Sequence, residues 1–331
     1  MRADDHGVFP MSCRQSTEYV DDHQLLCLID VHQHKCFRWL DIDPRRIAMK
    51  REEHMVGETF AYRFTSPDAD HALLIQHGMG GHGGIYDNFA AHYAGLGADV
   101  WSMDAPGHGR SCVSRRAGDF TIDEWVTAAL EMADHIGETT GLPVFIKGSS
   151  LGAAAAYCAY AASTTIAGAI LMGYGIPSSP LIPPDNPFRS AAYEQLLAQY
   201  GHALEFNIDR FIDFDEDYGF RGAGVQKHRD PLNTWAYDFN AMGSLMRYDP
   251  AVALADNAKP ILFAVGEKDP IFTPALAKLV VDATGGPVDF HVHPNGVHQL
   301  MLFHTADYSQ VVRTWCHKQL PNTTASTIQG K

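Results

Sequence analysis

The chain has 331 residues, of which 46% are hydrophobic and 19% charged, and its formal net charge is −14. This is the balance of a globular protein with room for one large domain or two. The acidic excess argues against a nucleic-acid partner and against an anionic membrane surface, and no basic run reverses it locally.

The N-terminus, Met1 to His6, is polar and lacks an apolar signal core, so no secretory signal is visible. None of the six cysteines (Cys13, Cys27, Cys36, Cys112, Cys158 and Cys316) forms a C-x-x-C pair. They are expected to be mostly reduced thiols in a cytoplasmic protein. The uncharged run from Gly148 to Pro184 is broken by serines, threonines, glycines and prolines. It divides into a buried helix, a turn and a buried strand, so no integral membrane span is expected.

Residues 1–50 read as an N-terminal extension. His23, His32, His34 and Cys36 lie close together, but their spacing matches no standard zinc pattern. They read as a histidine-rich surface segment, and no metal is expected. Leu25, Leu26, Leu28, Ile29, Phe37, Trp39 and Leu40 offer apolar surface to the main domain or to a second subunit, which would make a homo-oligomer.

A regular alternation begins near residue 51. Met55–Val56 and Thr59–Phe64 flank Gly57 as two strands of a hairpin. Ala72–Gln76 is a buried strand followed by the glycine-rich loop His77–Gly84. Tyr86, Phe89, Ala90, Tyr93 and Leu96 recur at helical spacing. Val100–Met103 is the next strand, and it ends in the turn-rich segment Asp104–Ser111. Thr121 and Glu124 form a capping-box pattern ahead of a helix with Ile122, Val126, Ala129, Leu130, Ala133 and Ile136 on one face. Val144–Ile146 is a strand, Ala153–Ala162 a helix, and Ala167–Met172 another strand. Near-continuous apolar strands alternating with helices predict a mostly parallel sheet covered on both faces.

The alternation breaks at Pro177. Residues 177–247 read as a proline-led lid insertion, rich in aromatics from Phe188 to Phe239, with an acidic run at Asp213–Asp217. Most of these aromatics are expected to form the insertion's own core. The alternation resumes over residues 248–320, with a strand at Pro260–Val265, a helix at Leu276–Val281, a strand at Val288–Val292 and a last helix carrying Tyr308, Val311, Val312 and Trp315. The polar tail, 321–331, is expected to be disordered.

Gly148-Ser149-Ser150-Leu151-Gly152 lies between a strand and a helix, the context of a G-x-S-x-G nucleophile elbow. A serine on so sharp a turn crowds its neighbours two before and two after, which is why Gly148 and Gly152 frame Ser150. A serine hydroxyl needs a base, and the base needs an orienting group. On such a fold they follow in the order nucleophile, acid, histidine. Asp269, in the turn after Val265, is the candidate acid and ranks above Glu267. His298, after the last strand, is the candidate base and ranks above His291 and His293. The backbone N–H groups of Leu151 and Met79 are the candidate oxyanion donors. His77–Gly81 lacks the spacing of a phosphate-cradling loop, and no cofactor is expected.

Together these residues resemble the α/β-hydrolase superfamily. HGMGGHGGIYDNFA, from His77, and DAPGHGRS, from Asp104, look like its monoacylglycerol lipase and lysophospholipase branch. The resemblance runs from about residue 52 to about residue 319. It implies an α/β-hydrolase fold: a mostly parallel sheet of about eight strands flanked by helices, with a lid insertion, performing cofactor-free ester hydrolysis. On that pattern Ser150 is the nucleophile, Asp269 the acid, His298 the base, and Met79 and Leu151 the oxyanion donors. Lys147 departs from the small or neutral residue usual before the elbow glycine, and the first ~50 residues have no counterpart in the pattern. Asp104 and His108 read as structural ties of the turn near the site.

The expected activity is hydrolysis of a small or medium carboxylic ester through an acyl-enzyme. The same triad also suits a lactone, a carbon–carbon bond of a diketone or a peptide amide, the last needing a carboxylate for the substrate amine. A ligand-binding receptor with a vestigial triad is the alternative of another class.

Overall fold

The structure is a computed structural model that describes residues 50–320 apart from Tyr174 and His202, together with two short strands nearer the N-terminus. The chain divides into two units, Met1–Ile42 and Asp43–Lys331. In the first, β1 (Ile29–Asp30) pairs antiparallel with β2 (Lys35–Cys36). His23, His32, His34, most of the apolar N-terminal residues and the tail lie outside the described residues.

The second unit is built on an eight-stranded sheet. It begins with the hairpin β3 (Arg51–Val56) and β4 (Thr59–Thr65), turned at Gly57 with φ +59°. There follow β5 (Ala72–Gln76), β6 (Asp99–Met103), β7 (Val144–Ser149), β8 (Ile166–Met172), β11 (Ile261–Gly266) and β12 (Val288–His293). The order across the sheet is β12-β11-β8-β7-β5-β6-β4-β3. Only the β3–β4 and β4–β6 pairings are antiparallel. Parallel neighbours need crossovers, and the helices that make them cover both faces, so the inner strands are apolar on both sides.

Side-chain alternation divides the core in two. Leu74, Ile146, Ala169 and Phe263 face α2 (Ile122–Thr140), α3 (Leu151–Ala162) and α8 (Pro274–Asp282). Leu73, Phe145, Ile170 and Leu262 face α1 (Asp87–Ala94), α9 (Leu300–Phe303) and α10 (Thr305–Gln319). The capping box of α2 is formed: Thr121 Oγ1 accepts from Glu124 N, and the Glu124 carboxylate accepts from Thr121 N.

Lys147 falls on the α1/α10 face of β7. Its ammonium is fully buried, 3.4 Å from Met172 Sδ and 5.0 Å from the centroid of the Tyr308 ring. Burial depresses its pKa to about 7.

Between β8 and β11 the sheet is interrupted by short elements: α4 (Ala191–Tyr200), β9 (Glu205–Asn207), α5 (Phe214–Tyr218), α6 (Ala223–Lys227), β10 (Ala236–Asp238) and α7 (Phe239–Arg247). Strand β10 pairs antiparallel with β9. Ile208, Phe214, Tyr237 and Leu245 pack with Phe120, Trp125 and Leu151 of the sheet unit, while Phe188, Tyr193 and Phe239 pack on one another within the segment. Its helix α4 buries only Tyr193, while Leu196, Tyr200 and nearby Leu204 remain exposed. Phe211 is 73% exposed. No helix among the described residues is long and apolar enough to cross a membrane.

Candidate active site

Ser150 occupies the residue between β7 and α3, with φ 55° and ψ −121°. A non-glycine residue there carries strain of about 1–3 kcal/mol and persists only where its surroundings over-determine it. They do so here. Ser150 N donates to Met172 O at 2.6 Å. A Cβ on Gly148 would lie 2.3 Å from Gly152 O, and one on Gly152 would lie 2.2 Å from His77 O. Both glycines therefore permit an approach that no side chain could, as their framing of the serine predicted. Leu151 N is the first amide of α3, where helical amides lack an intrahelical acceptor.

The turn after β11 holds Asp269, and the loop after β12 holds His298. Asp269 Oδ2 accepts from His298 Nδ1 at 2.8 Å. Asp269 Oδ1 accepts from the amides of Ile271 and Phe272 at 2.9 and 2.7 Å, so the carboxylate is held on both oxygens. Both side chains are buried. Glu267, the lower-ranked acid, instead accepts from Asn295 N and ties down the loop that carries His298. His291 and His293 bond each other at 3.2 Å.

A second carboxylate lies against the same imidazole. Asp217 Oδ1, on α5, is 3.9 Å from His298 Nε2. Asp217 is buried, and its Oδ1 has no hydrogen-bond partner among the described residues. Burial raises its pKa to about 6, against the opposing pull of His298. For His298 burial acts downward, but the Asp269 hydrogen bond and the charges of Asp217 and Asp269 outweigh it, and its pKa is raised. The structure thus brings Asp269 and His298 together. A Ser150–His298 hydrogen bond is not among those formed by the described residues, and such bonds are often looser before substrate arrives.

The glycine-rich loop packs directly on the elbow: a Cβ on Gly78 would lie 2.9 Å from both Ser149 O and Ser150 Cβ. His77 Nδ1 lies 2.8 Å from Gly78 O, and His77 Nε2 accepts from Ala105 N at 3.0 Å. Gly80 N donates to Tyr237 Oη at 2.7 Å, Gly80 O accepts from Lys227 Nζ at 3.1 Å, and His82 pairs with Asp230 at 2.8 Å. Asp104 accepts from the amides of Gly83 and Arg110 and so ties two loops together, which is the structural part expected of it. His108 Nε2 lies 2.6 Å from Tyr237 Oη.

A family model described as Hydrolase_4, serine aminopeptidase, S33, matches residues 67–303. The chain belongs to this α/β-hydrolase family. It is 33% identical to human monoglyceride lipase over 120 residues, 34% of this chain and 39% of that one. It is 35% identical to a monoglyceride lipase homolog of monkeypox virus over 85 residues, 24% of this chain and 29% of that one. The match thus spans well under half the length of either relative. The crystal structure of the Paleococcus ferrophilus monoacylglycerol lipase superimposes with a TM-score of 0.59 at 20% identity, covering 82% of this chain and 100% of that one. This α/β-hydrolase therefore has the eight-stranded, mostly parallel sheet expected of the fold.

Asp217 lies beside His298, and Lys227 and Tyr237 hold Gly80, contacts that no sequence pattern marks. The acidic run at 213–217 drew attention to the first, but nothing in the sequence singles out one of its members or its proximity to His298.

Proposed function

We propose that this protein is a serine hydrolase that cleaves a small or medium carboxylic ester through an acyl-enzyme. The observation that carries the reading is a serine held at positive φ between strand and helix, followed in chain order by a buried, hydrogen-bonded Asp269–His298 pair. Ser150 Oγ attacks the ester carbonyl, and His298 Nε2 takes its proton. The Met79 and Leu151 amides receive the oxyanion. Collapse expels the alcohol, which takes the proton back from His298. Water, deprotonated by the same nitrogen, then releases the acid and restores Ser150. Asp269 keeps the Nδ1 proton in place and stabilises the imidazolium. The segment between β8 and β11 acts as a lid over the acyl group. Similarity to monoglyceride lipases makes monoglycerides the first esters to try.

The test is hydrolysis of p-nitrophenyl esters of increasing acyl length, wild type beside Ser150→Ala. Wild type should turn over, and the variant should fall by about ten-thousand-fold or more. Equal activity of the two would remove Ser150 from the mechanism.

A second reading is favoured by Asp217. A buried carboxylate beside the base, with one oxygen free of hydrogen bonds among the described residues, suits a substrate that brings a cationic amine, as an aminopeptidase requires, and the family description is consistent with it. Aminoacyl p-nitroanilides, assayed beside the esters, separate the two. Faster turnover of the anilides, abolished by Asp217→Asn, would favour the amide reading.

A further inference from the structure

Three consecutive peptides of the loop after β5 are held by side chains, and they are held from two different places. The first is the Gly78–Met79 peptide. His77 Nδ1 donates to its carbonyl at 2.8 Å, while His77 Nε2 accepts from Ala105 N. In a trans peptide the N–H points away from the C=O, so this bond aims the Met79 N–H. Both partners belong to the sheet unit.

The second peptide, Met79–Gly80, donates its N–H to Tyr237 Oη at 2.7 Å. The third, Gly80–Gly81, has its carbonyl held by Lys227 Nζ at 3.1 Å. Tyr237 and Lys227 both lie in the segment between β8 and β11. Gly80 sits at φ +69°, and a Cβ there would lie 2.3 Å from Ile208 Cδ1 of the same segment. The inserted segment therefore grips Gly80 on its N–H, its carbonyl and its Cα.

The Tyr237 hydroxyl accepts from Gly80 N–H, so its own proton is left for another acceptor. His108 provides the acceptor. Its Nδ1 lies 3.2 Å from Pro106 O, which requires a proton on Nδ1 and leaves Nε2 bare to accept from Tyr237 at 2.6 Å. Burial holds His108 neutral, with a pKa near 3, as this arrangement needs. The hydrogen bonds thus run in one direction, from Gly80 N–H to Tyr237 to His108, while His108 Nδ1–H donates to Pro106 O.

We propose that Tyr237, oriented by His108, and Lys227 are positioning residues of the oxyanion hole. They hold the two peptides after Met79 so that its N–H meets the developing oxyanion, and the hole is complete only while the inserted segment is seated on Gly80. This rests on Ser150 as nucleophile and Met79 as donor. Displacing a donor from the oxyanion costs transition-state stabilisation with little effect on ground-state binding.

The experiment compares wild type, Tyr237→Phe, Lys227→Gln and Ser150→Ala with p-nitrophenyl butyrate and with a butyl trifluoromethyl ketone, whose serine adduct carries the oxyanion. In Tyr237→Phe, kcat should fall about tenfold to a hundredfold with KM within about threefold, and affinity for the ketone should fall in parallel. Inhibition by butyrate, which carries no tetrahedral oxyanion, should not change. Lys227→Gln carries the same test from the other side of Gly80 with a milder change of packing, and the same split is expected at smaller size. A variant folded by circular dichroism that keeps wild-type kcat and ketone affinity would overturn the proposal, as would equal losses for ketone and butyrate. If Ser150→Ala retained activity, the underlying nucleophile assignment would fall and this proposal with it. If Ser150→Ala is inactive and Tyr237→Phe is unimpaired, only the positioning role is lost.

Discussion

His298 lies between two aspartates from two regions of the molecule. Asp269 comes from the sheet unit, in the turn after β11, and Asp217 from α5 of the inserted segment. Both are buried. Asp269 accepts two backbone amides and the imidazole N–H, so each oxygen has a donor. The Oδ1 of Asp217 has none, and burial moves its pKa up to about 6. Burial disfavours the charged form of a carboxylate, and hydrogen-bond donors favour it. The sheet unit supplies such donors because a strand end followed by a tight turn points successive amides at one spot. The inserted segment is made of short elements and brings Asp217 beside His298 with its Oδ1 lacking a donor.

The largest effect should come from breaking the core side of this pair. Asp269→Asn should lower kcat by about a thousandfold to ten-thousandfold with the fold retained, because the amide cannot hold the Nδ1 proton in place. Steady-state kinetics with p-nitrophenyl butyrate check this. A loss under about tenfold would move the orienting role elsewhere.

Lys147 tests whether the contrast belongs to the region or to the partners. It is deep in the core yet unpartnered by any carboxylate among the described residues, and its pKa is depressed to about 7. Between about 7 and its ordinary value near 10.4 the native state binds fewer protons than the unfolded chain. Its cost therefore grows as pH falls from about 10 to about 7 and is constant below. Lys147→Met should raise stability at pH 7 by about 2–4 kcal/mol, with little gain at pH 10. Urea unfolding at the two pH values reads the difference, and a gain independent of pH would show that packing, and not charge, is responsible.

The smaller effect should come from the inserted side. The raised pKa of Asp217 means that the native state binds the extra proton between about 4 and about 6. Below about 4 both states are protonated, and the cost of the bare carboxylate appears as pH rises through about 6. Asp217→Asn should therefore stabilise the protein at pH 7.5 by about 1–3 kcal/mol and have no effect at pH 4. It should also remove one of the charges that raise His298, so the acid limb of kcat/KM should shift to lower pH. An unmoved limb would mean that the two side chains are uncoupled in the free enzyme.

Much of the sheet unit was legible along the chain, because its signals are local. The run Ala72–Gln76 is a strand with those bounds, Thr121 and Glu124 cap α2, and Gly148 and Gly152 frame Ser150 where no Cβ would fit. The order of Ser150, Asp269 and His298 at three strand ends could be read for the same reason: parallel strands bring their C-terminal ends to one edge. The inserted segment gave weaker signals. Its helix α4 has an apolar face in the sequence, but Leu196 and Tyr200 stay exposed, because periodicity shows that residues share a face and not what covers it.

By itself the sequence determined the α/β alternation, the family likeness and the candidate nucleophile, acid and base. Each depends on residue types a few positions apart or on a fixed order of strands. Only the tertiary structure decided that Asp217 faces His298, that Tyr237 and Lys227 hold Gly80, and that Lys147 is sealed under Tyr308. Those contacts join residues from 81 to 161 positions apart. Their geometry follows from how the inserted segment and the last helix pack on the sheet, which no local pattern specifies.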